Sequence, residues 1–268
     1  MNASARTVRP TAVAGTFYPA QPDVLRSALR KAFARAERPP PRAPTPRALI
    51  VPHAGYVYSG PVAASAYLRL RRARPPIRRV ILLGPSHRVA LEGLGVSSAD
   101  AFASPLGEVP LDDAARTEVL RLRCVEVNDP AHAQEHSLEV QLPFLQTVLT
   151  DFTLLPLVVG HASPDQVAEV IDACWSGPET IVVVSTDLSH YHRYTDAVRL
   201  DARTAAAIVA SRPDAIGTSD ACGAGPLRGL LMAGSERSVE IEQLDLRNSG
   251  DTAGDRQKVV GYGAFALT

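Results

Sequence analysis

Hydrophobic positions in this chain fall into two kinds of run. Leu49-Ile-Val51, Val80-Ile-Leu-Leu83, Leu154–Val159 and Ile181-Val-Val-Val184 are short and without regular polar alternation. Apolar runs of that length, bounded by Pro, Gly or polar turns, predict buried strands. Elsewhere the apolar positions recur at helical spacing. Val24, Leu25, Ala28, Leu29, Ala32 and Phe33 predict a helix from Pro22 to about Ala36, with Pro22 suited to its first turn. Further helices are expected at about Pro61–Arg71, Leu111–Leu122, Ser137–Leu149, Pro164–Trp175, Thr195–Ala210 and Pro226–Ala233. Additional strands are expected at Leu94–Ser98, Cys124–Val127, Ser238–Leu246 and Lys258–Ala266. Residues 1–21 read as irregular, with Ala14–Pro19 a compact aromatic turn, and Pro39–Pro46 reads as a stiff surface connection. Alternation of strand and helix predicts an α/β fold with a mixed, mainly parallel sheet and helices on both faces. The expected organisation is one domain over residues 1–268.

The strands matter because of the residues just beyond their ends. Leu49-Ile-Val-Pro-His53 delivers His53, Val80-Ile-Leu-Leu-Gly-Pro-Ser-His87 delivers His87, and Ile181-Val-Val-Val-Ser-Thr-Asp-Leu-Ser-His190 delivers Asp187 and His190. Leu244–Asp251 ends in a further acid. Ligands of α/β sheets sit beyond the carboxyl ends of the strands, so a shared site is the economical reading. A single histidine there is usually structural. Two at equivalent ends, with an Asp at a third, match a two-histidine, one-carboxylate metal site, which suits non-haem Fe(II) and equally zinc with an open position. Asp187 and His190 offer another chemistry, an acid orienting an imidazole as general base. The bland alternative is that Asp187 caps a helix.

His132-Ala-Gln-Glu-His136 matches the inverted zinc-protease pattern H-x-x-E-H. Pro130 just before it, and an apolar period that begins only at Leu138, argue against one shared helix face. Glu135 and His136 are instead expected at the mouth of the pocket. Cys222 precedes a helix start, where a thiol pKa can fall, although an inert buried cysteine is the commoner case. No G-x-S-x-G elbow, phosphate loop or dinucleotide fingerprint is present.

Composition narrows the remaining classes. The 268 residues balance 28 Lys and Arg against 28 Asp and Glu, which argues against a nucleic-acid or acidic-lipid surface. No apolar run reaches the roughly 20 residues of a membrane helix. The opening Met1–Arg6 has no secretory pattern. Three widely spaced cysteines make no disulfide framework, so a reduced, cytoplasmic compartment is expected.

Several ordered motifs together resemble the Memo family, whose microbial members carry the label AmmeMemoRadiSam system protein B. They are Pro52–Gly60, Leu83–His87, Glu135–Glu139, Ser185–His190 and Ser249–Asp251, with Ala14–Pro19 and Val259–Leu267 at the two ends. The resemblance covers nearly the whole chain. It implies a fold similar to class III extradiol dioxygenases, with His53, His87 and Asp251 as metal ligands. It also implies His190 as the acid–base residue with Asp187 beside it, and a substrate space faced by His136, Glu135 and Tyr56. Fe(II) is the expected cofactor, with Zn or Cu as alternatives. The implied partners are a small molecule or peptide and, from the family label, a radical-SAM protein. Animal members place a cysteine where this chain has Asp251, which moves the expected site away from thiolate copper chemistry. A metal-dependent, dioxygenase-like oxidoreductase is the leading expectation. A non-catalytic peptide- or ligand-binding module in the same pocket is the second, and a zinc hydrolase the third.

Overall fold

A computed structural model describes residues 6–268; the segment before Arg6, where the absence of a secretory pattern was expected, lies outside the described residues. The chain opens with β1 (Val8–Arg9), α1 (Pro22–Ala34), β2 (Ala48–Val51) and α2 (Tyr56–Tyr67). A 3-10 turn at Leu68–Arg72 leads to β3 (Arg79–Pro85), β4 (Leu94–Val96) and the hairpin β5 (Ala101–Ser104) and β6 (Gly107–Pro110). Next come α3 (Asp113–Val119), β7 (Val125–Val127) and three short helices, α4 (Asp129–Ala133), α5 (His136–Glu139) and α6 (Leu142–Val148). The last third holds β8 (Thr153–Val159), α7 (Pro164–Cys174), β9 (Thr180–Ser185), β10 (His190–His192) and α8 (Tyr194–Val209). It closes with α9 (Ala224–Ser235), β11 (Ile241–Asn248), α10 (Ser249–Thr252) and β12 (Val259–Leu267).

The expected α/β class is present. The main sheet runs β10-β12-β2-β9-β3-β8-β4-β7, with β11 on β12, and a small sheet joins β1, β5 and β6. Its centre, β2-β9-β3-β8, is parallel, while β12 on β2 and β4 on β8 are antiparallel. The unbroken apolar strands are buried on both faces. Leu49, Val51, Val80, Leu82, Ile181 and Val183 meet α1, α2 and α6, while their alternating neighbours Ile50, Ile81, Leu83, Val182 and Val184 meet α7, α8 and α9. Period-2 geometry divides one apolar run between two cores. Among the described residues, no helix is long and apolar enough to cross a membrane.

Three helix expectations need correction. The helix expected from Pro61 starts at Tyr56, directly after Gly55, and carries Pro61 inside it. The segment expected to be one kinked helix over Ser137–Leu149 is two, α5 and α6, with Pro143 in the first turn of the second. Pro143 lacks an N–H, and a first turn needs none. The expected Leu111–Leu122 helix is shorter, capped by Asp112, whose carboxylate accepts the Ala115 N–H.

Candidate metal centre

Parallel pairing brings the three informative loops to one edge. β9 lies between β2 and β3, with Val51 opposite Ser185 and Leu83 opposite Val184. The carboxyl ends of β2, β9 and β3 therefore release His53, Asp187 and His87 side by side. His136 joins them from the first residue of α5. That helix packs close on β3 because position 84 is glycine: a Cβ there would lie 2.7 Å from Ser137 Oγ and 2.9 Å from Leu138 Cδ2. The ring centroids of His53, His87 and His136 are 5.2, 5.3 and 4.6 Å apart in the three pairings. One ligating nitrogen from each lies within 4.8 Å of the others.

Two of these imidazoles have their tautomers assigned by what stands behind them. Ser185 Oγ donates to the Ser137 carbonyl at 2.6 Å and accepts from Gln141 Nε2 at 2.8 Å. Its 3.0 Å bond to His53 Nδ1 must therefore be accepted from Nδ1–H, which leaves Nε2 unprotonated. Glu135, a buried carboxylate, receives the His87 backbone N–H at 2.6 Å, His87 Nδ1–H at 2.9 Å and the Ser137 N–H at 2.8 Å. The bond to Glu135 makes Nε2 the His87 nitrogen available to a ligand. Burial alone would raise the Glu135 carboxyl, but these donors outweigh it and hold it down at about 2. His136 Nδ1 is buried and has no hydrogen-bond partner; Glu135 Oε1 is 3.4 Å away but not aligned for one.

Two of the histidines have lowered pKa values. Burial, then the neighbouring His136 and His87 rings, push His53 well below the ordinary imidazole value. Burial lowers His136 to about 4 against the pull of Glu135. Three clustered imidazoles, two of them anchored through Nδ1 and the third with an unpartnered Nδ1, are a donor set that fits a transition-metal ion.

A cleft of about 940 Å³ opens over the cluster, walled by Phe17, Tyr58, His190, Tyr191, Lys258 and Tyr262 among others. Phe17 packs against His136 with centroids 4.6 Å apart and the rings tilted by 45°. It is held there by the Ala14–Pro19 turn, which is anchored to the fully buried Glu139. Glu139 receives the Tyr18 hydroxyl at 2.5 Å, the backbone N–H groups of Ala12 and Val13, and Arg9.

The structure does not bring Asp251 to the histidines. Asp251 is exposed, and one carboxylate oxygen accepts the Asn248 N–H at 3.0 Å in a reciprocal capping box of α10, while the other accepts Tyr194 OH at 2.7 Å. Tyr56 is also displaced from its expected place. Its ring is buried against Phe144 and its hydroxyl donates to the Val140 carbonyl, so Tyr58, two residues on, is the tyrosine of that motif in the cleft. Glu135 lies behind His87 and does not line the cleft.

Asp187 lines the cleft but makes no hydrogen bond to His190 among the described residues. Asp187 Oδ1 accepts the His53 backbone N–H at 2.7 Å, so the acid fixes the loop that carries His53. Its burial raises it to about 7 despite that bond and one from Ala54. His190 is half-buried in the wall, lowered first by burial and then by His87 and His192, with the Leu188 carbonyl opposing. His132 bonds the Gly95 carbonyl through Nε2 and sits on a different helix from His136, so the inverted zinc-protease arrangement is not assembled.

Reading the residues alone missed Ser185 and Gln141, and weighed Cys222 only as a helix-start thiol or an inert buried one. Cys222 Sγ is 3.2 Å from the unprotonated His53 Nε2, to which its thiol donates, and burial followed by Asp187 pushes that thiol up to about 12. That is the opposite of a helix-start activation. No signal in spacing could have found these contacts, since they join residues far apart in the chain.

Comparison with known proteins agrees with this architecture. A family model described as Memo-like protein matches residues 9–266. A MEMO1 family protein of Aeropyrum pernix is 36% identical, covering 97% of this chain and 99% of its own. One from Ignicoccus hospitalis is 35% identical over 96% of this chain and 97% of its own. A crystal structure of the uncharacterized protein JW3007 from Escherichia coli K12 superposes with a TM-score of 0.55 at 14% identity, covering 81% of this chain and 98% of that one. That last likeness is one of fold. With a family model spanning nearly its whole length and full-length relatives above a third identical, the chain belongs to the Memo-like family.

Proposed function

We propose that this protein holds one divalent transition-metal ion on His53, His87 and His136 and, with Fe(II), oxidises a small organic substrate in the cleft above. The observation that carries the reading is the clustering of three imidazoles, two of them donating through Nδ1 to Ser185 and Glu135 so that Nε2 is the nitrogen left to ligate, with His136 Nδ1 unpartnered beside them. Imidazole donors suit iron, zinc and copper alike. Bound iron would supply Lewis acidity and a path for electrons between an organic substrate and dioxygen. The chain's own residues supply the rest. Ser185 and Glu135 hold the two ligand rings in one tautomer, and Asp187 holds the loop that carries His53. His190, in the wall of the cleft with its pKa lowered by burial, would take a proton from a substrate hydroxyl.

Anaerobic loading with iron, zinc or copper, followed by oxygen-consumption assays on catechol-like compounds, tests this. Turnover is expected with iron, and His190→Ala should lower it roughly 10²–10⁴-fold. Iron bound at one equivalent without oxygen uptake would overturn the oxidative reading. A zinc hydrolase is the second reading, favoured by the three-imidazole donor set, which on zinc leaves a position for activated water. It predicts ester hydrolysis after zinc loading and none after iron. A non-catalytic binding module would instead keep its ligand affinity in His190→Ala.

A further inference from the structure

The net charge of zero conceals a strong asymmetry. Between Val24 and Leu91 the chain carries 14 Arg and Lys residues and one acid, Glu37. Part of this excess converges on one concavity. A pocket of about 310 Å³, sharing no lining residue with the histidine cleft, is bordered by Arg26 and Arg30 of α1 and by Arg71 of the 3-10 turn. No carboxylate lines it.

Arg26 and Arg30 stand four apart on one helix, a spacing at which like charges repel. Their relief is slight. Arg26 Nη1 is 3.8 Å from the fully exposed Asp23, beyond hydrogen-bond reach. Arg30 and Arg71 have no acidic partner within salt-bridge distance among the described residues. The Arg71 guanidinium lies 4.4 Å from the centroid of the Phe33 ring, which orients it at the rim of the pocket. The polar neighbour Gln146 is already engaged, with Oε1 accepting Ser104 Oγ and Nε2 donating to the Gly107 carbonyl. Leu29, Phe33 and Leu106 form an apolar floor.

We propose that this pocket binds a phosphate ester: a tetrahedral dianionic head on Arg26, Arg30 and Arg71, with its carbon body on Leu29, Phe33 and Leu106. Three forked cations fit a group that presents three oxygens and two charges better than a planar, singly charged carboxylate. The surrounding excess of arginine would speed capture of any such anion.

The test is calorimetric titration of the full-length protein with inorganic phosphate, n-butyl phosphate and acetate at matched ionic strength. One saturable phosphate site per chain is expected, with n-butyl phosphate bound more tightly and acetate much more weakly. Arg30→Gln and Arg71→Gln should each weaken phosphate about tenfold, the scale of one charge-assisted hydrogen bond. Both side chains are exposed, so these variants should fold, which a thermal melt checks. Arg42→Gln, outside the pocket, and His53→Ala should leave phosphate binding unchanged. The proposal is overturned by absence of saturation at millimolar phosphate or by wild-type affinity in Arg30→Gln. It is equally overturned by loss of binding in His53→Ala, by acetate binding as tightly as phosphate, or by n-butyl phosphate binding more weakly.

Discussion

Glu135→Gln probes how far the clustered histidines, proposed to hold a metal ion, depend on the carboxylate behind them. Glu135 accepts three donors: Oε1 takes His87 Nδ1–H and the Ser137 N–H, and Oε2 takes the His87 backbone N–H. An amide offers one acceptor oxygen and one donor nitrogen. With its oxygen in the place of Oε1, two donors keep their partner and the amide nitrogen confronts the His87 backbone N–H. Flipping the amide strands two donors instead of one. The better arrangement leaves one buried donor unmade, at a cost of about 1–3 kcal/mol. It also removes the negative charge that fixes the His87 tautomer. Loss of such a supporting partner typically weakens metal affinity ~10–100-fold, which is about 1.4–2.8 kcal/mol. The two routes give the same scale. Titration of metal-free protein with Zn²⁺ in a competing chelator should show that fall, and urea denaturation of metal-free protein should show the stability loss. An affinity within about threefold of wild type, well short of the expected drop, would refute the view that Glu135 sets His87.

Gly84→Ala should push α5 off β3, since its Cβ would meet Ser137 Oγ at 2.7 Å. Overpacking of this kind costs about 1–3 kcal/mol, and metal affinity should fall with it; an unchanged urea midpoint would contradict the close packing. Glu139→Ala leaves Arg9 buried without its carboxylate and should cost about 3–5 kcal/mol, again read by urea denaturation, with under about 1 kcal/mol as the contrary result. Asp112 gives a pH dependence. Burial favours its neutral form, but the Ala115 N–H, Arg79 and Thr153 outweigh burial and hold the carboxyl below its ordinary value. A depressed acid contributes stability that is full at neutral pH and is lost as pH falls from the ordinary carboxyl value through the folded one. Acid denaturation should therefore be shallower in Asp112→Asn over that window, and an equally steep curve would count against it.

Much of the site was legible in the chain because short apolar strands end abruptly. Pro52 and the Gly84-Pro85 pair stop β2 and β3, and parallel pairing then fixes where His53 and His87 emerge. The third member of the cluster was less legible. Asn248 and Asp251 have the spacing of a reciprocal helix cap, a local arrangement that keeps the carboxylate away from the histidines. His136 reaches them only because α5 folds over a glycine in β3, a long-range contact that no periodicity encodes. Tyr56 was misplaced for a local reason. The helix begins at Tyr56 and not at Pro61, which turns Tyr56 into the core and Tyr58 toward the cleft. The Ala14–Pro19 turn was visible as a motif, but its task became readable only once Tyr18 was seen on Glu139 and Phe17 on His136.

The central claim is that His136, and not Asp251, is the third side chain to grip the ion with His53 and His87. Metal content and affinity of His136→Ala and Asp251→Asn, loaded side by side with the parent protein, decide it. His136→Ala should lose most of its affinity while Asp251→Asn binds one equivalent as the parent does. Retention in His136→Ala with loss in Asp251→Asn would contradict the three-histidine centre.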